Sequence, residues 1–451
     1  MIQRFQTYLT SPGLGPEVLR ALIGSAGVRI VGMFFAFLVG VQLARALGAE
    51  GYGVYGLAMS IISLLAIPMQ FGLPSLLTRE IAAAEVKDNW AVIRGILDWS
   101  NRTVVMLSIA MTLLMLLALF LFTKQINNEL RYTLLSGLLL MPFIALGNIR
   151  GAALRGLRHI VKGQFFELVL RPAMFSLLLF ITSVLFAQGV NPGNAMGMHA
   201  VASIISFIVA TILLKTVLQQ PYRIAKPEIH AKAWWKSTLP MALTDGLRLL
   251  QGNLSILLLG VFSTTAMVGV FRVASSLGIL LIMPVSLLHI VSATFFSRLY
   301  AAKDYQKLQQ MLKWVAVAMF LGVICFTLPF FLIGEQIITY VFGTEFSNSN
   351  TPLLILSAGT VIGSAFGASV TLLNMTKHEK RVTRAFGLSL LLLGTVSIPF
   401  IMLWGVTGAA LANSIAFISF SVLTWWDARS LLQLDTSLFS FIHQTSRFKQ
   451  D

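Results

Sequence analysis

The sequence is poor in the groups that most chemistry requires. It has a single cysteine among 451 residues, Cys325, so an intramolecular disulfide is impossible, and no Cys/His spacing suits a metal ion. Charged residues make up only 11% of the chain, where soluble domains carry about 25%. So little charge does not cover a globular surface. No Walker A sequence, no glycosidase-like pair of carboxylates and no nucleophile elbow with triad partners occurs. The chain therefore reads as a non-enzyme with no cofactor and no metal. The opening stretch "MIQRFQTYLTSPGLGPEVLR" lacks a compact apolar core followed by a small-residue cleavage site. No cleavable signal peptide is expected, and the first span itself directs insertion.

What the sequence has is apolar length. Hydrophobic residues are 57% of it and the mean hydropathy is +0.82, so the fold class is an all-α integral membrane protein. About 20 mostly apolar residues cross a bilayer. Twelve segments qualify: 20–44, 53–77, 103–123, 132–153, 164–187, 196–217, 238–261, 267–296, 312–333, 352–375, 385–403 and 407–426. Charge tests that count. The net charge is +16, from 33 Lys and Arg against 17 Asp and Glu. In a soluble protein this suggests nucleic acid, but here the basic residues fall between apolar segments, where they set orientation. With a cytoplasmic N-terminus, the far side holds only Arg45, Lys124 and Arg131, and Arg29, Arg171, Arg248 and Arg272 fall inside spans. All other basic residues face the cytoplasm. A missed helix would invert the alternation downstream, so the asymmetry predicts twelve spans with both termini inside. It also makes membrane lipids, not nucleic acid, the partners of the basic clusters.

A repeat divides the chain. "GVYGLAMS" (53–60) and "GVFRVASS" (269–276) match at Gly, Val, an aromatic, an aliphatic, Ala and Ser, and at the same offset Pro68 falls on Pro284. "LRGLRH" (154–159) similarly resembles "LNMTKH" (373–378). Chance similarity between apolar segments is the competing explanation. Six spans per half make a parallel repeat, with a pseudo-two-fold axis along the membrane normal. The expected organisation is an N-terminal lobe (1–218), a cytoplasmic connection (219–237), a C-terminal lobe (238–427) and a cytoplasmic tail (428–451). The two pseudo-equivalent lobes would surround a central cavity.

The stretch "LARALGAEGYGVYGLAMSIISLLAIPMQFGLPSLLTREIA" (43–82) resembles the polysaccharide-export branch of the multidrug/oligosaccharidyl-lipid/polysaccharide (MOP) exporter superfamily. Its elements are Arg45, Leu47, Gly48, Tyr52, Gly53 and Tyr55, then Gly72, Leu73, Pro74 and Arg79. "VFGTEF" (341–346) and "WGVTGAALANSIAF" (404–417) also fit. Within that superfamily the chain most resembles the Wzx-type flippases. The resemblance implies flipping of undecaprenyl-diphosphate-linked oligosaccharide repeat units, for O-antigen or related polysaccharide, across the bacterial inner membrane by alternating access. It also implies a polysaccharide polymerase and chain-length machinery as partners. A drug/cation antiporter of the same superfamily is the alternative. Lipid II flippases typically have fourteen helices, and the tail after Trp426 is too polar for two more.

Six charges stand within the spans, each costing roughly 2.5–3.5 kcal/mol on insertion scales. Glu167 and Arg171 are four apart, and Asp245 and Arg248 three apart, so each couple shares a helix face. Arg29 lies about 13 Å into the first span. Arg272 has no acidic partner on its own helix. Four arginines against two carboxylates suit a diphosphate, which arginine grips with a fixed fork of donors. Arg29, Arg171, Arg248 and Arg272 are thus the candidate substrate-binding residues, with Asp245 and Glu167 as charge partners or gates. The repeat places Arg29 on Asp245, which suggests that these two pair in one state. Structural readings stand beside these: Arg272 can snorkel, Glu167–Arg171 can be an ordinary pair, Asp245–Arg248 can lock two lobes together, and His289 can be a packed histidine. Pro68, Pro172 and Pro284 are hinge candidates, and Gly24, Gly27, Gly32 and Gly40 in the first span allow bending or close packing.

Overall fold

The computed structural model describes residues 14–185, 190–218 and 220–441. The character of the opening residues 1–13, the start of the expected connection at Gln219 and the last ten residues of the expected tail lie outside the described residues. The described chain is helical throughout, with short connections. Two compact units divide it, 1–253 and 254–451. The division falls inside a helix, beyond the connection expected at 219–237.

In the first unit, α1 runs Leu14–Gln70, α2 Leu73–Glu85, α3 Trp90–Leu121, α4 Asn128–Gly137 and α5 Leu140–Gly156. Next come α6 (Ile160–Phe165), a π turn (Phe166–Leu170), α7 (Arg171–Leu185), α8 (Pro192–Val217) and α9 (Gln220–Ile224). Then α10, Ala231–Phe262, carries the chain past the boundary. The second unit holds α11 (Thr265–Leu281), α12 (Met283–Ala301), α13 (Tyr305–Phe342), α14 (Asn350–Ser364), α15 (Ser369–Met375) and α16 (Glu379–Leu432). Short 3-10 turns cover Thr344–Ser349 and Leu438–Phe441.

Among the described residues, eight helices are long and apolar enough to cross a membrane, or nine if the bent pair α14 and α15 counts as one span. Where described, the twelve expected segments are mostly helical, with turns at 71–72, 138–139, 282 and 365–368, but two pairs of them share a continuous run. Helix α1 breaks only at Gly48 (φ 66°, ψ −177°), and α16 only at Gly405 (φ 55°, ψ −124°). Both values lie in regions that favour glycine. Residues 334–351, expected as a loop, are helix to Phe342 and then a 3-10 turn.

The repeat motifs have matching local geometry. Arg158 and Lys377, equivalent in "LRGLRH" and "LNMTKH", have φ of 65° and 66°. The following His159 and His378 each donate a backbone hydrogen bond five residues back, at 2.9 Å, to Leu154 and Leu373. A further match escaped the sequence. Asp88 (φ 50°) and Lys303 (φ 57°) precede Asn89 and Asp304, whose side chains cap α3 and α13 by accepting from Val92 N at 3.2 Å and Lys307 N at 3.1 Å.

Part of the expected tail is packed. After α16 the chain turns at Gln433, and Leu434, Asp435, Thr436 and Ser437 are buried within the second unit. They fill the break between α14 and α15, where Leu438 N donates to Ala365 O at 2.9 Å and Thr436 Oγ1 to Phe366 O at 2.8 Å. Gln309 of α13 clamps Asp435 from both sides. Its amide donates to the Asp435 carbonyl at 2.6 Å and accepts from the Asp435 N–H at 2.9 Å.

Candidate functional site

A cavity of about 470 Å³ lies within the first unit. The second half of α1 lines it with Met59, Ile62, Ser63 and Gln70, and α5 with Met141, Asn148 and Arg155. The π turn and α7 contribute Glu167 and Arg171, and α10 contributes Asp245 and Arg248.

Proline sets the arginine wall. Pro172 has no N–H, and its ring crowds the carbonyl four residues back, that of Leu168. The backbone widens there into the π turn, and the Arg171 N–H reaches Phe166 O instead. Ser206 Oγ, from α8, donates to the same oxygen at 2.8 Å. The Leu168 carbonyl lies against Gly32 of α1, where a Cβ would come within 2.6 Å of its oxygen. Pro68 lies inside α1, shortly before the turn at Phe71 and Gly72. Gly72 (φ +70°) lets the α10 backbone approach, since a Cβ there would meet Ala242 N at 2.6 Å. Pro284 stands in the first turn of α12, in the second unit, and has no part in this cavity.

The charges in the wall are three arginines, Arg155, Arg171 and Arg248, against Glu167 and Asp245, a formal excess of one positive charge. Ser75 Oγ donates to Asp245 Oδ2 at 3.4 Å, and the Arg248 charge acts on the same carboxylate. Arg155 Nη1 donates to Gly163 O at 3.5 Å. Glu167 and Arg171 act on each other through space. Among the described residues neither has an ion-pair or side-chain hydrogen-bond partner. Asn148 Nδ2 donates to Gln70 Oε1 at 2.9 Å across the cavity wall.

Four of the six charges expected within spans thus line one cavity: Glu167, Arg171, Asp245 and Arg248. Arg29 is exposed and outside the lining. In this state Asp245 is held by Ser75 and not by Arg29. Arg272 is half-buried in the second unit and is already engaged by a neighbour. His289 hydrogen-bonds Thr371, in keeping with a packed histidine. Sequence reasoning passed over Arg155 because it sits in a basic cluster at a helix end. Its signal was position: it follows Asn148 by seven residues, two turns on one face. No group of three or more His, Cys, Asp or Glu side chains suited to a metal occurs among the described residues.

Comparison with known proteins gives concordant results. The sequence profile of the family described as "Polysaccharide biosynthesis protein" matches residues 18–299. A probable low-salt glycan biosynthesis flippase, Agl15 of Haloferax volcanii, is 22% identical over 412 residues, covering 89% of this chain and 80% of the relative. An inward-facing multidrug resistance MATE family transporter of the MOP superfamily superposes with a TM-score of 0.72 at 16% identity, covering 91% of this chain and 98% of the other. The lipid II flippase MurJ, in an inward closed conformation, gives a TM-score of 0.67 at 15% identity, with 96% and 94% covered. The two solved structures establish the fold alone.

Proposed function

This chain belongs to the polysaccharide biosynthesis protein family, and we propose that it flips a polyprenyl-diphosphate-linked oligosaccharide across the membrane. It is a multi-pass membrane protein and a flippase-type transporter with the MOP-superfamily fold. The finer reading is an undecaprenyl-diphosphate-linked repeat unit, for O-antigen or related polysaccharide, moved from the cytoplasmic to the periplasmic leaflet of a bacterial inner membrane. The observation that carries it is the arginine-rich cavity. Arginine in a low-dielectric wall binds phosphate oxygens bidentately, and the Arg171 side chain, which has no hydrogen-bond or ion-pair partner among the described residues, has its donors available for a head group. The polyprenyl tail stays in lipid while the cavity is exposed alternately to the two sides.

Twelve crossings follow when α1 and α16 each cross twice at their glycine breaks, α14 and α15 cross together, and α10 is added to the apolar helices. Helix α1 alone has 57 residues, about 85 Å of rise against a hydrocarbon core of about 30 Å. An even number of crossings puts both termini on one side, and the Lys and Arg asymmetry of the sequence supports the cytoplasmic side. A drug/cation antiporter shares the fold, but exchange of protons with a cationic drug favours an acidic cavity, and this one carries more arginine than carboxylate. The test is surface polysaccharide in cells whose only flippase is this chain, with Arg155, Arg171 and Arg248 each replaced by Ala and by Lys. Export should fall in the Ala series and recover in part with Lys. Normal export in all six variants contradicts the reading.

A further inference from the structure

We propose that Gln70 and Asn148 form a sugar-reading pair, which hydrogen-bonds the hydroxyl or acetamido groups of the first sugar beyond the diphosphate. This rests on the reading of the cavity as a lipid-diphosphate glycan site. The single bond between them, Asn148 Nδ2 to Gln70 Oε1, uses one N–H and one lone pair. Each amide side chain carries two N–H donors and a carbonyl acceptor. Both N–H groups of Gln70, the second N–H of Asn148 and the Asn148 carbonyl oxygen therefore have no partner among the described residues. Both side chains line the 470 Å³ cavity, so these unused edges face open space. A bond serving only to hold α1 against α5 needs no such exposure.

Spacing and polarity point the same way. Asn148 and Arg155 are two turns apart on α5, about 10 Å along the axis. A diphosphate held by Arg155 therefore has its first sugar within reach of the pair. Beyond the pair the wall turns apolar, with Met59, Ile62 and Met141. A pyranose presents both kinds of surface, hydroxyls at its rim and C–H groups on its face. Mutually hydrogen-bonded amides also act as a selective reader, because a ligand lacking the matching group leaves desolvated donors unsatisfied.

The experiment uses the purified full-length protein in lipid nanodiscs and equilibrium binding of two kinds of probe. One is undecaprenyl diphosphate. The other is the same lipid bearing one glucose, galactose or N-acetylglucosamine. Wild type should bind the best sugar-bearing lipid at least tenfold more tightly than the bare diphosphate. Gln70→Leu and Asn148→Leu should bring that ratio close to one, while affinity for the bare lipid stays within twofold. Exchange of the amides, Gln70→Asn with Asn148→Gln, guards against a folding defect. It keeps the amide chemistry and the thermal midpoint but should still lower the ratio. A wild-type ratio of one, or an unchanged ratio in folded variants, overturns the subsite and leaves the diphosphate site standing. Failure of wild type to bind either lipid contradicts the flippase reading itself.

Discussion

Arg171 and Arg155 line the cavity and Arg29 does not, so the proposed head-group site ranks them above Arg29. Replacing Arg171 with Ala should lower transport at least tenfold, because a charge-assisted bidentate contact is worth about 1.5–3 kcal/mol. Arg171→Lys should recover only part, since an ammonium lacks the fork. Arg155→Ala should cost more transport than Arg29→Ala, measured as glycan export at matched expression. The reverse order would place the binding site outside this cavity. Arg171, Glu167, Asp245 and Arg248 were legible in the sequence because a charge in an apolar run is conspicuous. Arg155 was not, since charge at a helix end is ordinary. Gln70 and Asn148 carry no charge, and their contact spans 78 residues of chain, so no local pattern registers it.

Two elements depend on contacts that hydropathy does not report. The first is the π turn at Phe166–Leu170, fixed by Pro172 and held against Gly32. Proline, glycine and the charge were each visible in the sequence, but the meeting of Gly32 with the Leu168 carbonyl requires the packed pair. Gly32→Ala forces a methyl against a backbone oxygen that has little room to yield, and should lower stability by about 1–3 kcal/mol, read as a lower thermal midpoint. The second is the tail. Hydropathy marks the chain after Trp426 as polar and says nothing of how Leu434–Ser437 pack. Those polar groups are buried because they satisfy one another: Asp435 Oδ1 accepts from Trp425 Nε1 at 2.9 Å, from Ser437 N at 2.9 Å and from Ser437 Oγ at 2.7 Å. Asp435→Ala leaves those donors unsatisfied and should cost about 2 kcal/mol. Thermal unfolding of the variant measures this, and an unchanged midpoint would mean that the tail contributes nothing to the second unit.

At the scale of the whole molecule, the helical class and the mostly helical course of the apolar segments were readable from apolar length. Loop positions were less so, because a single glycine suffices to redirect a run such as α1 or α16, and the backbone stays helical on either side. Energy coupling belongs to this scale. For the proposed flipping, a gradient or downstream consumption of the product is the expected drive. The membrane potential, negative inside, favours outward movement of each negative charge by about 2.3 kcal/mol per 100 mV. If the arginine wall does not travel with the head group, collapsing the potential should slow flipping. Dependence on a proton or sodium gradient, with none on potential, would instead indicate ion antiport.

The most direct measurement is translocation by purified protein in liposomes. A polyprenyl-diphosphate-linked oligosaccharide is placed in one leaflet, and its appearance in the other is followed with an impermeant lectin. The account predicts protein-dependent translocation that Arg171→Ala reduces at least tenfold. A wild-type rate equal to that of protein-free liposomes, or an equal rate for wild type and Arg171→Ala, would contradict it.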